Sequence, residues 1–588
     1  MKKHLCWLVA LCLLASALPV LPMLPALAEG GGGHAVTGKA VTFYWGDPED
    51  AGQYTVYFVD DSDVPYLALS DWQAIVQDYV GGDDYGKTVV ENGGLQFGFS
   101  MAGNTGVLTR EDGYTAAFDC DADTVHFVDY DAFLRLNSSD FLFEMVGSLR
   151  SAPDAPVRYL QRFGNAFERY GSEVTIDAGA YGIDFIARDG ECYVPMQTLS
   201  DLLLCAYDGG IFWNGEIAVI CPVYAFGKPD DLTPIGEIYY AVAPRARSEA
   251  MARYSYGELC LALDNLYGMR QAHGIDSFDG LIGNIGLKED LMGTDPAKAD
   301  AALYQLLEVY LDDPHTAMRL PSPLSGVHAA DGFHDALGYG LSKDARLQQR
   351  DLYIGLRDAA YPDGVPGYEE IGNTAWITMD GFRQPPDDVD YYQTPPTDEA
   401  ADTMGLLAYA YAQITRQDSP IENVVLDLTL NSGGMTNAAL YTMAAFLGVG
   451  SLSTKSTLSG ALVTSNYVAD LNLDGVADGG DRLLTGKNLF CLESPVSFSC
   501  ANLVCCAFKA SNRVSMLGRP SGGGACFTQT LPIACGSVCQ MSTDVQMSFI
   551  KNGVFYDNDR GAEPDIPLLK PASFYDRQGL TEYINGLR

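Results

Sequence analysis

Three stretches of the chain combine residue types and spacings that chemistry can use. The first, Val424 to Gly434, reads Val-Val-Leu-Asp-Leu-Thr-Leu-Asn-Ser-Gly-Gly, an apolar run ending in a polar turn with two glycines. Gly433 and Gly434 allow a sharp turn and present N–H groups at a helix start, where a developing oxyanion can be held. A simple tight turn explains the same residues. The second stretch is strand-like from Asn488 to Leu492, and Ser497-Phe498-Ser499-Cys500-Ala501-Asn502 then opens a helix of small residues. A serine at a strand-to-helix turn exposes its hydroxyl, and the amide of the next residue points into the same space, which suits a nucleophile. A helix N-cap serine is the competing reading. The third stretch is acidic. Asp470, Asn472, Asp474, Asp478 and Asp481 fall at the first, third, fifth, ninth and twelfth positions of a loop, with Gly475 at the sixth and the Val476 carbonyl at the seventh. This spacing predicts a Ca2+ loop of the EF-hand or dockerin type, set against the alternative of a solvated acidic loop.

The elements that must position these residues follow from periodicity. Short alternating apolar stretches between Val36 and Pro222, such as Tyr54-Thr55-Val56-Tyr57-Phe58-Val59, predict strands and turns. Pro65-x-x-x-Leu69-Ser70-Asp71 recurs as Pro195-x-x-x-Leu199-Ser200-Asp201, which suggests two copies of a small α+β module with Trp72 and Trp213 in their cores. From Ser248 to Val309 the apolar spacing becomes helical, as in Tyr256-x-x-Leu259-x-Leu261-x-Leu263-x-x-Leu266. A strand over Thr374 to Met379, a helix from Glu399 to Ile414 and a buried strand at Val424 to Leu428 begin an alternation that predicts an α/β sheet.

Length, charge and cysteine content bound the compartment and the partners. The 588 residues carry 76 Asp or Glu against 36 Lys or Arg, a formal charge of −40, and phosphate backbones would be repelled, so nucleic acid is excluded as a partner. Lys2 and Lys3 precede an apolar run from Leu5 to Leu21, and Ala26-Leu27-Ala28 offers a cleavage site, so residues 1–28 read as a signal peptide with a secreted or extracellular cell-envelope destination. Seven of the 14 cysteines lie between Cys491 and Cys539; an exported chain permits disulfides, and buried free thiols are the alternative. His328 and His334, six apart, read as part of a solvated loop rather than a metal site.

Two resemblances add to this. Tyr193-Val194-Pro195, Leu199-Ser200 and Trp213-Asn214-Gly215 resemble the copper amine oxidase N-terminal-like domain, an accessory module of exported bacterial proteins; without a His cluster it implies no copper. From Ser248 onward, Asp312-Asp313-Pro314-His315-Thr316, Asp427 with Asn431-Ser432-Gly433-Gly434, the Ser499 turn, Gly518-Arg519-Pro520-Ser521-Gly522-Gly523-Gly524 and Gly561-Ala562-Glu563-Pro564-Asp565 occur in the order of the C-terminal processing peptidase family, which includes tail-specific proteases and the tricorn core. The resemblance implies Ser499 as nucleophile, with Ser497 as the fallback two residues away. It implies oxyanion donors at the amides of Gly433 or Gly434 and of Cys500. Gly524 stands where tail-specific relatives carry a lysine, whereas His315 occupies the place of the tricorn-like His, and its ordinary pKa suits a general base. Asp557, Asn558 or Asp559 would orient the site; Asn558 aligns best, where the tricorn branch has a glutamate. Asn502 also replaces the usual glutamate. The stretch Leu320 to Glu370 lacks a convincing run of strands, so an inserted PDZ domain is not apparent.

The expectation is therefore a signal peptide over 1–28, two accessory α+β modules over 36–226, a helical lead-in over 235–320 and a mixed α/β serine peptidase domain over 321–588. The substrate would be a peptide or unfolded polypeptide, the cofactor structural Ca2+ with no organic group, and the N-terminal modules would offer cell-envelope association. The alternative is a catalytically inactive binding protein of the same fold at the cell surface.

Overall fold

The computed structural model describes residues 34–587, apart from 83, 137–141, 144–158, 229–230, 328–330, 387, 399, 479–480 and 484–485. The signal segment and His328 lie outside the described residues. The centre of the C-terminal half is a six-stranded sheet in the order Tyr368–Ile371, Thr374–Thr378, Asn423–Asp427, Asn488–Glu493, Val514–Gly518 and Ile566–Pro567. Its first pair is antiparallel and all later pairs are parallel.

Strand Asn423–Asp427 is buried at every residue because successive side chains enter two different cores. Val424 and Leu426 face the helices Thr403–Thr415, Thr436–Leu447 and Cys500–Ser511. Val425, with Trp376 beside it, faces Tyr353, Phe574, Leu580 and Ile584 from the opposite layer, which includes helices Leu341–Ala360 and Arg577–Gly586. The carboxyl ends of the three central strands run into the Gly433–Gly434, Ser499 and Gly522–Gly524 turns, the edge at which open α/β sheets hold ligands.

The N-terminal region departs from the expectation of two separate modules. The two echoed segments join one seven-stranded sheet, because Tyr66–Ala68 of the first copy pairs with Glu191–Pro195 of the second and Val36–Tyr44 lies parallel to Ala218–Cys221. A five-stranded meander from Phe97–Ala102 to Val174–Asp177 packs beside it, its strands alternating buried and half-buried residues. Nor does the region end cleanly at 226: strand Leu160–Arg169 pairs with Leu462–Ala469 in a sheet that also holds Gly450–Ser456 and Val538–Ser548. One hydrophobic core runs without a break from Val41 through Trp72, Trp213, Leu263 and Leu307 to Leu531. The lead-in is helical as expected, with Glu249–Leu266 opened by the Ser248 hydroxyl accepting from Met251 N–H at 2.9 Å. Between Leu320 and Tyr368 the described residues form helices and no strand.

Candidate active site

Ser499 sits at a turn with unusual backbone angles. Its φ of 56° and ψ of −125° lie in a region that side-chain-bearing residues rarely occupy, and such strain concentrates at functional sites. Surrounding bonds hold the turn in place. The Ser497 hydroxyl donates to the Leu428 carbonyl at 2.7 Å and accepts from Ser494 N–H at 3.0 Å, Phe498 N–H donates to the Asn431 carbonyl, and Ser499 N–H donates to the Gly523 carbonyl at 2.9 Å. Ser497 is thereby spent as a fully buried structural residue, which removes it as the fallback nucleophile. The Ser499 hydroxyl makes no capping bond to helix Cys500–Ser511, so the N-cap reading also fails.

The oxyanion expectation narrows to two amides. Gly433 N–H donates to the Asn431 side chain at 2.9 Å and is unavailable. Gly434 and Cys500 N–H have no partner among the described residues, while the peptides around Gly434 are pinned by Phe382 N–H to the Gly433 carbonyl and Met435 N–H to the Phe382 carbonyl. Two donors on fixed backbone are what a developing oxyanion requires. The approach of the two turns demands glycine: a Cβ at Gly433, whose φ is +104°, would lie 2.8 Å from the Ser499 Cβ. The neighbouring Cys500 thiol is no rival nucleophile, since burial pushes its pKa up to about 11.

The geometry at Gly524 leaves no room for the lysine that the family resemblance would place there. Its φ is +92°, and a Cβ there would stand 2.8 Å from the Phe498 ring and 3.0 Å from Ser499 N. No lysine side chain can leave this position without displacing the elbow.

His315 lines a cavity of about 500 Å³ with Asp313, Arg346, Phe498, Arg519, Gly524 and Asp559. Its loop is braced on all sides. Asp313 accepts from His315 N–H at 3.0 Å and from the hydroxyls of Thr316 and Ser542 at 2.7 Å each. Lys343, on helix Leu341–Ala360, reaches the Thr316 carbonyl and pairs with Glu308 at 2.8 Å. Burial pushes the imidazole pKa down to about 4, against the opposing charge of Asp313, and Arg346 adds to the lowering. Burial disfavours the ionised form of Asp313, yet His315 and the two hydroxyls outweigh it and hold that carboxyl below its ordinary value. The imidazole is thus neutral near pH 7, the form a base needs.

The expected partners of His315 are not assembled around it. No hydrogen bond joins it to Ser499; its ring packs on Phe498 at 4.6 Å between centroids, Arg346 lies over that Phe498 ring at 4.5 Å, and Nδ1 is buried without a partner. Asn558 makes no hydrogen bond to His315, and like Ser499 it lies outside the wall of this cavity. Its carbonyl accepts from the Asn502 side chain at 2.8 Å, and its own amide group, buried and unpartnered, is not part of the cavity wall. Asp559 is, with its carboxylate accepting from Gly524 N–H at 3.2 Å. Asn502 instead ties the elbow helix to the Gly-rich loop through Ser521 at 2.8 Å. Arg346 and Lys343 were not anticipated, because they sit on a polar helix whose apolar positions are sparse; Tyr353 and Leu356, three apart on its inner face, are the available signal.

The acidic loop folds through its own turns. Asp470 accepts from Gly475 N–H, Asn472 from Asp474 N–H, Asp474 from Val476 N–H, and Asp481 from Leu471, Asn472 and Asp478 N–H, all at 2.8–2.9 Å. Among the described residues no group of three or more His, Cys, Asp and Glu side chains is arranged to hold a metal. One oxygen of the expected set, Asp470 Oδ1, is buried and unpartnered.

The profile of peptidase family S41 matches residues 373–568. No curated protein matches the chain. Among solved structures, a photosystem II D1 C-terminal processing protease is similar at 17% identity and a TM-score of 0.25, over 34% of this chain and 42% of that one. A lipoprotein from Streptococcus agalactiae is similar at 12% identity and a TM-score of 0.33, over 58% and 98%, and mature CPAF at 13% and 0.25, over 36% and 50%. The chain thus spans about two fifths of the length of the D1 processing protease and half that of CPAF. Residues 373–568, which hold the central sheet and the Ser499 turn, are thus the part of the chain that matches peptidase family S41.

Proposed function

We propose that the chain is an exported serine endopeptidase acting on peptides or unfolded polypeptides, with Ser499 as nucleophile and His315 as base in the manner of the tricorn-like branch. The observation that carries this reading is the strained Ser499 turn packed against Gly433, in a region where Gly434 and Cys500 N–H are left unpaired among the described residues. Ser499 Oγ attacks the peptide carbonyl, its proton passes to neutral His315, and the carbonyl oxygen takes its charge toward the two amides. Protonated His315 then gives the proton to the leaving amine, and water releases the acyl group through the same base. Displacement of the Phe498 ring from the imidazole is part of this cycle, and Asp559 is the available orienting carboxyl. A fluorophosphonate probe should label the wild type and fail on Ser499→Ala, and His315→Ala should slow labelling by about 10²-fold or more.

A specific observation favours the second reading, an inactive binding protein: the unbonded Ser499 and His315 with Nδ1 unpartnered. A folded wild type that takes no label, and cleaves no unfolded polypeptide, would establish it in place of the peptidase.

The acidic loop takes structural Ca2+ in this reading, supported by its ligand spacing and by Asp470 Oδ1; Asp470, Asn472, Asp474, Asp478, Asp481 and the Val476 carbonyl would hold it. EGTA should lower the melting temperature of the wild type and leave Asp474→Ala unmoved. Export rests on residues 1–28, and the N-terminal sheets, with their likeness to copper amine oxidase N-terminal-like modules, are the surface for cell-envelope association.

A further inference from the structure

We propose that Cys120 and Cys192 form a disulfide that ties the five-stranded meander to the seven-stranded sheet. Their sulfurs stand 3.3 Å apart, in contact though unbonded. A disulfide needs about 2.05 Å, so a shift of roughly 1 Å closes the bond. Each cysteine is placed by separate backbone pairing. Cys120 follows strand Thr115–Asp119 and its N–H donates to the Asn104 carbonyl at 3.1 Å. Cys192 belongs to strand Glu191–Pro195, where it stands opposite Ala187 and next to the Tyr193–Ala68 pair.

The wall around the pair is shaped for this approach. Gly106, on the strand that pairs with Thr115–Asp119, faces Cys192, and a Cβ there would stand 2.5 Å from the Cys192 Cβ and 3.0 Å from its sulfur. Any side chain at 106 would push Cys192 out of reach of Cys120. Cys120 is half-buried, so one sulfur is reachable from solvent, whereas the other eleven described cysteines, Cys192 among them, are buried.

The step balances through thiol–disulfide exchange. The Cys120 thiolate attacks an external disulfide, of the oxidised glutathione or thiol-oxidoreductase class, forming a mixed disulfide and expelling one thiol. Cys192 then displaces the second. The protein pair loses two electrons and two protons, and the external disulfide is reduced to two thiols. The bond closes a separation of 72 residues, which restricts the unfolded chain far more than the folded one. It is independent of the peptidase reading and holds for an inactive binder equally.

The full chain, equilibrated in an oxidising glutathione buffer, denatured and alkylated, should carry two fewer alkyl groups than a dithiothreitol-treated sample. Proteolysis should release one cross-linked pair of peptides holding Cys120 and Cys192. Dithiothreitol should lower the melting temperature of the wild type and not of Cys120→Ser, which alters only the half-buried partner and so keeps the test open if Cys192→Ser fails to fold. A full thiol complement after oxidation, a cross-link to another cysteine, or an equal dithiothreitol shift in Cys120→Ser would overturn the proposal.

Discussion

At the scale of single residues, the site is organised by what side chains cannot be there. Gly433 and Gly524 are obligatory because the Ser499 turn occupies the space a Cβ would need. Gly524→Ala is expected to cost about 1–3 kcal/mol of stability, from positive φ and contact with Phe498, and to reduce probe labelling in proportion to the displaced elbow; denaturant melts with labelling rates measure both. Introducing a lysine by Gly524→Lys should not create a Ser–Lys site, for the same steric reason. His315 carries a pH signature. Its neutral form persists down to about pH 4, so the acid limb of kcat/KM should fall there and not near the ordinary histidine value of 6.5. Arg346→Gln removes a charge that disfavours the imidazolium and should move that limb upward. A wild-type limb near 6.5 would contradict the buried, neutral imidazole.

At the scale of elements, periodicity located most of the framework. The strand at Thr374–Thr378, the buried strand at Asn423–Asp427 and the helix Glu249–Leu266 stand where apolar spacing put them, whereas the helix expected from Glu399 starts at Thr403, behind the Asp402 cap that accepts from Gly405 N–H. Helix Leu341–Ala360 carries little such periodicity. It is largely polar, begins at a Leu341 that is 88% exposed, and buries only a narrow stripe. Its importance comes from two cations that it carries to the His315 loop. Lys343→Met would leave Glu308 buried without its counter-charge, and is expected to cost about 3–5 kcal/mol. Adding Glu308→Gln should recover part of the loss, measured by chemical denaturation. Labelling by the probe should fall with Lys343→Met, because the Thr316 carbonyl loses its anchor beside His315.

At the scale of the whole molecule, the N-terminal sheets and the helical lead-in share one core with strands Cys526–Pro532 and Val538–Ser548 of the C-terminal half, and polar contacts cross the same junction. Gln197 donates to the Pro532 carbonyl at 2.9 Å, and the Thr198 hydroxyl donates to Glu258 at 2.5 Å. Asp201 and Glu258 form a buried carboxyl pair at this junction: burial, then its neighbour, holds Asp201 well above the ordinary range, and burial raises Glu258 to about 7. Raised acid pKa values mean that the stabilising contribution is complete below the ordinary carboxylate range and is lost as pH rises through about 7. Unfolding free energy should therefore fall between pH 5 and 8.5, and fall less in Asp201→Asn; denaturant titrations at the two pH values measure the difference. The sequence by itself determined the chemical inventory: a serine at a strand-to-helix turn, paired glycines and an acidic loop. Those features are legible because turn chemistry and periodicity depend on neighbours within a few residues, whereas the place of His315 rests on the resemblance of the ordered motifs to the C-terminal processing peptidases. Only the tertiary structure decided that Gly433 N–H is spent and Gly434 free, that Ser497 is structural, that Asp559 and not Asn558 shares the cavity with His315, and that the two echoed segments interleave in one sheet. Each of those outcomes depends on contacts between residues tens to hundreds of positions apart, where packing space and hydrogen-bond competition, not local preference, choose the partner.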